Sequence, residues 1–187
     1  MDKPSFPHKI ALIAIFAALT ASGSFIRIPI PPVPITLQSF FVIMAGLVLG
    51  PRGGALSQVV YLLVGILGLP VFSGGGGLSY VLRPSFGYLI GFILAPLVVG
   101  SFMKNSGYKP INIFVASILG MLVIYVAGVP YLAIYMRYIL DKPEAIILAI
   151  KTGLVIFLPG DILKCIILAL IVPKMNLPHI RREPYSK

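Results

Sequence analysis

The chain alternates long apolar runs with short polar interruptions. With about 17 to 25 residues needed to cross a bilayer as helix, the runs Ile10–Ile26, Gly53–Phe72, Ser85–Met103, Ile111–Tyr135 and Ala145–Val172 are each long enough to span. A shorter run, Leu37–Gly50, reaches spanning length only when Ile35 and Thr36 extend it to residues 35–50. The pattern therefore predicts six transmembrane helices over residues 10–26, 35–50, 53–72, 85–103, 111–135 and 145–172, in an all-α integral membrane protein of one domain, residues 1–187. The start of the chain, with Lys3 and Lys9 before an apolar stretch and then Ala21, Ser22, Gly23 and Ser24, imitates a secretory signal peptide. The further apolar runs behind it favour an uncleaved first helix.

The connections differ in kind. RIPIPPVPIT at 27–36 carries Pro29, Pro31, Pro32 and Pro34, which exclude helix and favour an extended strap. SGGGGLSYVLR at 73–83 holds four consecutive glycines, so its backbone can turn sharply or approach a ligand closely. By contrast Pro51–Arg52, Lys104–Lys109 and the carboxy terminus are short or plainly basic.

Composition agrees with lipid as the solvent. Of 187 residues 58% are hydrophobic and 11% charged, and the mean hydropathy is +1.02, well beyond the balance of soluble domains. The net charge of +10 forms neither a stripe nor a patch interleaved with aromatics, which argues against a nucleic-acid partner and for orientation in a membrane. Six spans put Lys3, Lys9, Arg52, Lys104, Lys109, Lys174, Arg181, Arg182 and Lys187 on one side, against Arg27, Arg83, Arg137, Lys142 and Lys151 on the other. That bias predicts a multi-pass protein of the cell membrane with both termini cytoplasmic, and with the strap and the glycine loop outside.

The last run, LVIFLPGDILKCIILAL, sets Asp161 and Lys164 three positions apart in apolar sequence. On a helix they share a face. Each charge at mid-bilayer costs about 2.5 to 3.5 kcal/mol on insertion scales, so the pair must face protein or a polar cavity. It is an internal salt bridge that fixes packing, a small-molecule site, or both. Pro159 interrupts the helix beside it by leaving the Val155 carbonyl without its usual donor, and broken helices recur at membrane binding sites. Gly74, Gly75 and Gly76 lack the Lys-Ser/Thr of a phosphate-binding loop, leaving a ligand wrap or a flexible connector. Tyr80, Arg83, Ser85 and Tyr88 nearby are candidate donors or interfacial anchors.

Ala14, Ala17, Ala18 and Ala21 lie along one face of the first helix and let another helix approach closely, either inside the molecule or on a partner. No enzyme site can be assembled. His8 and His179 fall outside the spans, Cys165 has no neighbouring base, and Asp161 is the one acid within them, so neither a triad, a carboxylate dyad nor a metal cluster forms and no cofactor is expected.

On these residues the sequence resembles BioY, the biotin-binding membrane subunit or S component of energy-coupling factor transporters. The resemblance rests on VPITLQSFFVIMAGLVLGPRGGALSQVVYLLVGILGLPVF at 33–72, which looks like that family's strap and next two helices, and on FLPGDILK at 157–164, which looks like its final-helix signature. RPSFGYLIGF at 83–92 departs from it, because many members read Gly-Pro-Thr-Gly-Gly-Tyr where this chain has Arg83, Pro84, Ser85, Phe86, Gly87 and Tyr88. The resemblance implies a six-helix S component that takes biotin from outside and associates with a transmembrane coupling subunit and ATPase subunits through the small face of its first helix. It also implies a substrate site of Asp161, Lys164, Gly74, Gly75, Gly76, Tyr80, Arg83, Tyr88 and Gln38. There Asp161 accepts a ureido N–H, Lys164 donates to the ureido carbonyl or pairs with the carboxylate, and Phe72, Tyr80 and Tyr88 cover the ring. An S component for another vitamin, and more distantly a membrane enzyme acting on a lipid, are the competing readings.

Overall fold

The computed structural model describes residues 6–175. Lys3, His179, Arg181, Arg182 and Lys187, part of the charge and histidine readings above, lie outside the described residues. Within them the chain is mostly helical: α1 (Phe6–Phe25), α2 (Gln38–Ile66), α3 (Phe86–Ser106), α4 (Pro110–Tyr138), α5 (Ala145–Ile150) and α6 (Leu158–Ile171). A π-helical turn, Lys151–Val155, joins α5 to α6, and Pro159 sits in the first turn of α6, where its missing N–H has no helical acceptor to lose. The irregular backbone therefore lies mainly one turn before the proline.

Five helices among the described residues are long and apolar enough to cross a bilayer, where the sequence predicts six. The difference lies in α2, which joins the expected second and third spans into one helical run broken at Gly50, whose φ of 72° only glycine adopts at little cost. The run is not straight. Gln38 donates a side-chain hydrogen bond to the Tyr61 hydroxyl, although 23 positions of straight helix would separate them by about 34 Å. The two halves, residues 38–49 and 51–66, fold back on each other, and they rise only about 18 and 24 Å against a hydrocarbon thickness of about 30 Å.

The fold-back is tight because its contact positions are small. A Cβ at Gly54 would stand 2.9 Å from the Gly46 backbone nitrogen and 2.7 Å from the Pro96 side chain of α3. Removal of side chains at such positions lets helices approach where lipid offers no hydrophobic drive. Helix α3 packs between α2 and α4, α1 lies along α2, and α6 lies against α4 and α2. The Gln58 amide, fully buried, donates to Thr20 of α1 at 3.2 Å and to Ser57 at 3.0 Å, tying α1 to the second half of α2.

The strap does run extended. Arg27–Ile28 (β1) and Ile35–Thr36 (β2) pair antiparallel, with Arg27 opposite Thr36. The glycine loop is closed on itself instead of being open: Phe72 and Gly75 exchange backbone hydrogen bonds of 2.9 and 3.1 Å, Gly77 N–H donates to the Gly65 carbonyl at 2.8 Å, and a short 3-10 turn, Leu78–Leu82, follows.

The predicted alanine face of α1 divides. Ala17 is buried in the core and Ala21 packs partly buried against it, while Ala14 and Ala18 stay exposed. The four span enough of the helix circumference for its inner part to turn toward α2. Ser22, four residues beyond Ala18, is exposed too, so the outward small stripe is Ala14, Ala18 and Ser22.

Gly54→Val should lower the thermal midpoint of detergent-purified protein, because the branched side chain must displace the Gly46 backbone or Pro96; overpacking of this kind costs about 1–3 kcal/mol. An unchanged midpoint would mean that the two halves of α2 are not held at this separation.

Candidate ligand chamber

Asp161 and Lys164 stand on the inner face of α6, each buried, with Nζ 2.7 Å from Oδ1. Their partners come from three other segments. Lys164 also donates to the Thr36 carbonyl at the end of the strap, 2.7 Å, and to Ser39 Oγ in the first turn of α2, 3.0 Å. Three N–H donors meet three acceptors, so the ammonium is saturated. Ser39 donates onward to Asp161 Oδ1 at 3.4 Å, and Tyr125 of α4 donates to Oδ2. The pair is thus both an internal salt bridge and the floor of a cavity.

That cavity, counted out through its open mouth, holds about 520 Å³ of empty space. Strap residues Val33 to Thr36 form one wall. Ser73, Tyr80 and Ser85 line another side, and Tyr88, Phe92 and Phe157 supply aromatic surface. Tyr88 is held by its hydroxyl, which donates to the Gly153 carbonyl in the π-helical turn at 2.8 Å. The Tyr80 hydroxyl lies 3.2 Å from Ser73 Oγ and 3.0 Å from Ser85 Oγ, and its ring rests on Phe72 at 4.5 Å between centroids. Tyr131 of α4 donates to the Val81 carbonyl, so the 3-10 turn is fastened to the bundle.

Of the residues predicted for the site, Gln38, Tyr80, Tyr88, Asp161 and Lys164 line this chamber; Gly74, Gly75, Gly76 and Arg83 do not. Two of the glycines are spent on the loop's own geometry: Gly75 has a φ of 122°, and Gly76 packs against the Leu69 carbonyl too closely for any side chain. Arg83 is exposed. Gln38 is already engaged, with its Oε1 accepting from Thr36 Oγ1 at 3.0 Å while its amide donates to Tyr61. Phe72 lies behind Tyr80, between it and Tyr61, and does not reach the chamber wall.

Ser39, Tyr125, Phe92, Phe157 and the Thr36 carbonyl are chamber groups that the sequence did not single out. Tyr125 carried a signal, being a tyrosine deep inside an apolar run instead of at its edge. Ser39 and the aromatics carry no such mark, and a backbone carbonyl carries none at all.

A family model described as the BioY family matches residues 1–179. Among curated relatives, a "Probable biotin transporter BioY" of Lysinibacillus sphaericus is 45% identical over 177 residues, 94% of this chain and 90% of the relative. The "Biotin transporter BioY" of Thermotoga maritima is 37% identical over 170 residues, 90% of this chain and 95% of that protein. Among solved structures, the S-component for biotin from an ECF-type ABC transporter matches with a TM-score of 0.76 and 27% identity, over 97% of this chain and 100% of that one.

Removing one member of a buried ion pair leaves the other charge uncompensated, at a cost of about 3–5 kcal/mol, whereas removing both is far milder. Lys164→Met should therefore lower the thermal midpoint strongly, and Asp161→Asn added to it should restore more than half of the loss. A double variant no more stable than Lys164→Met would show that the pair's charges do not dominate its energetics.

Proposed function

The chain belongs to the BioY family, and from that premise we propose that it is the biotin-capturing membrane subunit, or S component, of an energy-coupling factor transporter. One observation carries the reading: a buried acid and lysine line a chamber whose other walls come from a strap and a loop elsewhere in the chain. Biotin offers ureido N–H donors, a ureido carbonyl, an apolar fused ring and a carboxylate on a flexible arm. Asp161 suits a ureido N–H, and charge-assisted bonds of this kind are about twice as strong as neutral ones. Tyr88, Phe92 and Phe157 suit the ring, and the hydroxyls of Ser73, Tyr80 and Ser85 suit the polar groups at the mouth. Binding and transport need no covalent step, and no catalytic role is assigned to this chain.

Uptake against a gradient requires energy. The sequence carries no phosphate-binding loop, so ATP hydrolysis is assigned to partner subunits, two ATPases coupled through a transmembrane subunit. The outward stripe of Ala14, Ala18 and Ser22 on α1, flat enough for close helix approach, is the assigned contact for that coupling subunit. Counting each half of α2 as a crossing gives six passes, both termini cytoplasmic, and the strap and the glycine loop outside, where the ligand arrives.

Detergent-purified protein should bind labelled biotin at micromolar concentration or below. Asp161→Asn should lose binding at least tenfold, and Ala18→Trp should bind normally yet abolish uptake in cells. Folded wild-type protein that fails to bind biotin ends the substrate assignment; uptake unaffected by Ala18→Trp ends the docking assignment. For orientation, Ser79→Cys, at an exposed position of the 3-10 turn, should react with an impermeant thiol reagent on intact cells. Reaction only after permeabilisation would invert the topology.

A further inference from the structure

Tyr125 belongs to α4, is buried, and lines the chamber beside Asp161, to whose Oδ2 its hydroxyl donates. An ionised carboxylate has about four acceptor positions. Lys164 and Ser39 take both positions on Oδ1, and Tyr125 takes one on Oδ2. One position is left, on Oδ2.

A second observation concerns what lies behind the pair. Between α4 and α6 there is an apolar crevice lined by Ile118, Met121, Leu122, Leu158 and Ile162 together with Tyr125 and Asp161. Leu122 and Ile162 are exposed on the outside of the bundle, so this crevice opens to the side that lipid covers. Tyr125 and Asp161 are the two residues that line both the crevice and the chamber. They form the partition between the chamber and the apolar crevice, and the hydrogen bond between them holds the carboxylate in it. A carboxylate released from Tyr125 could turn its free oxygen toward a crevice without a donor, where it serves no ligand.

We propose that Tyr125 is a positioning residue for ligand binding: by occupying one lone pair of Asp161 Oδ2 it fixes the carboxylate in the partition and presents the remaining one to the chamber. The inference rests on the proposal that biotin is the ligand and deepens it, because it assigns affinity to a residue that need not touch biotin. Ser39 works on Oδ1 of the same carboxylate, so the two hydroxyls act through one group.

The test uses equilibrium binding of labelled biotin to the full-length, detergent-purified protein, with thermal midpoints of the unliganded variants alongside. A hydrogen bond to a charged group is worth about 1.5–3 kcal/mol, so Tyr125→Phe, which keeps the ring and removes the hydroxyl, should raise the Kd roughly ten- to a hundredfold. Ser39→Ala should raise it as well. Because both act through Asp161, the double variant should depart from the product of the single losses by at least threefold, which independent packing defects in two helices would not do. Tyr125→Phe binding like the wild type, or losses that multiply within twofold, overturns the proposal. Failure of the wild type itself to bind biotin would instead remove the ligand on which it rests.

Discussion

An acid and a lysine inside a bundle surrounded by lipid set the terms for every element near them. Neither charge can be left to the bilayer, and their mutual attraction alone does not recover the cost of desolvating both. The additional hydrogen bonds have to come from protein. They come from Thr36, Ser39 and Tyr125, which belong to the strap, α2 and α4. Satisfying one pair on α6 thus draws three distant segments of the chain to a single point.

The rest of the architecture can be followed from there. The strap must return its end to Lys164, and the antiparallel pairing of Arg27–Ile28 with Ile35–Thr36 is what turns it back. Ser39 must stand beside the pair at the very start of α2, so that helix begins deep at the site and has little length in which to cross; the reversal at Gly50 follows within a few turns. Tyr125 must come from the middle of α4, which is long enough to carry it there. The glycine loop closes on itself and fastens to Gly65 and Tyr131, leaving Tyr80 with Ser73 and Ser85 to line the chamber on that side.

The long spans were legible because lipid imposes one simple rule, an apolar run of sufficient length, and α1, α3, α4 and the 145–174 segment obey it. The Asp161–Lys164 pair was legible because a charge in such a run is expensive enough to require a reason. The count at α2 was not, since hydropathy registers apolar length but not the reversal at Gly50 that folds one helical run upon itself. Gly74 to Gly76 were ambiguous for a related reason: glycine marks unusual backbone without saying whether a ligand or the loop itself needs it. The alanine face divided because periodicity defines an arc of helix, while the neighbouring helix covers only part of it. Thr36 escaped notice because it contributes its carbonyl, which every residue possesses.

A subunit that carries a solute must exist both loaded and empty, and this bears on why the site is a pair at all. A lone carboxylate waiting for a ligand's N–H would sit uncompensated in low dielectric whenever the chamber was vacant, and the fold would bear that cost throughout each cycle. Here the charge is already neutralised and Lys164 already saturated by protein partners, so the empty chamber leaves no bare ion. What a ligand meets is one remaining acceptor position on a carboxylate held from two sides. The same bonds that make the empty state tolerable fix the direction in which that acceptor points, and stability without ligand and recognition of ligand are therefore met by a single arrangement of atoms.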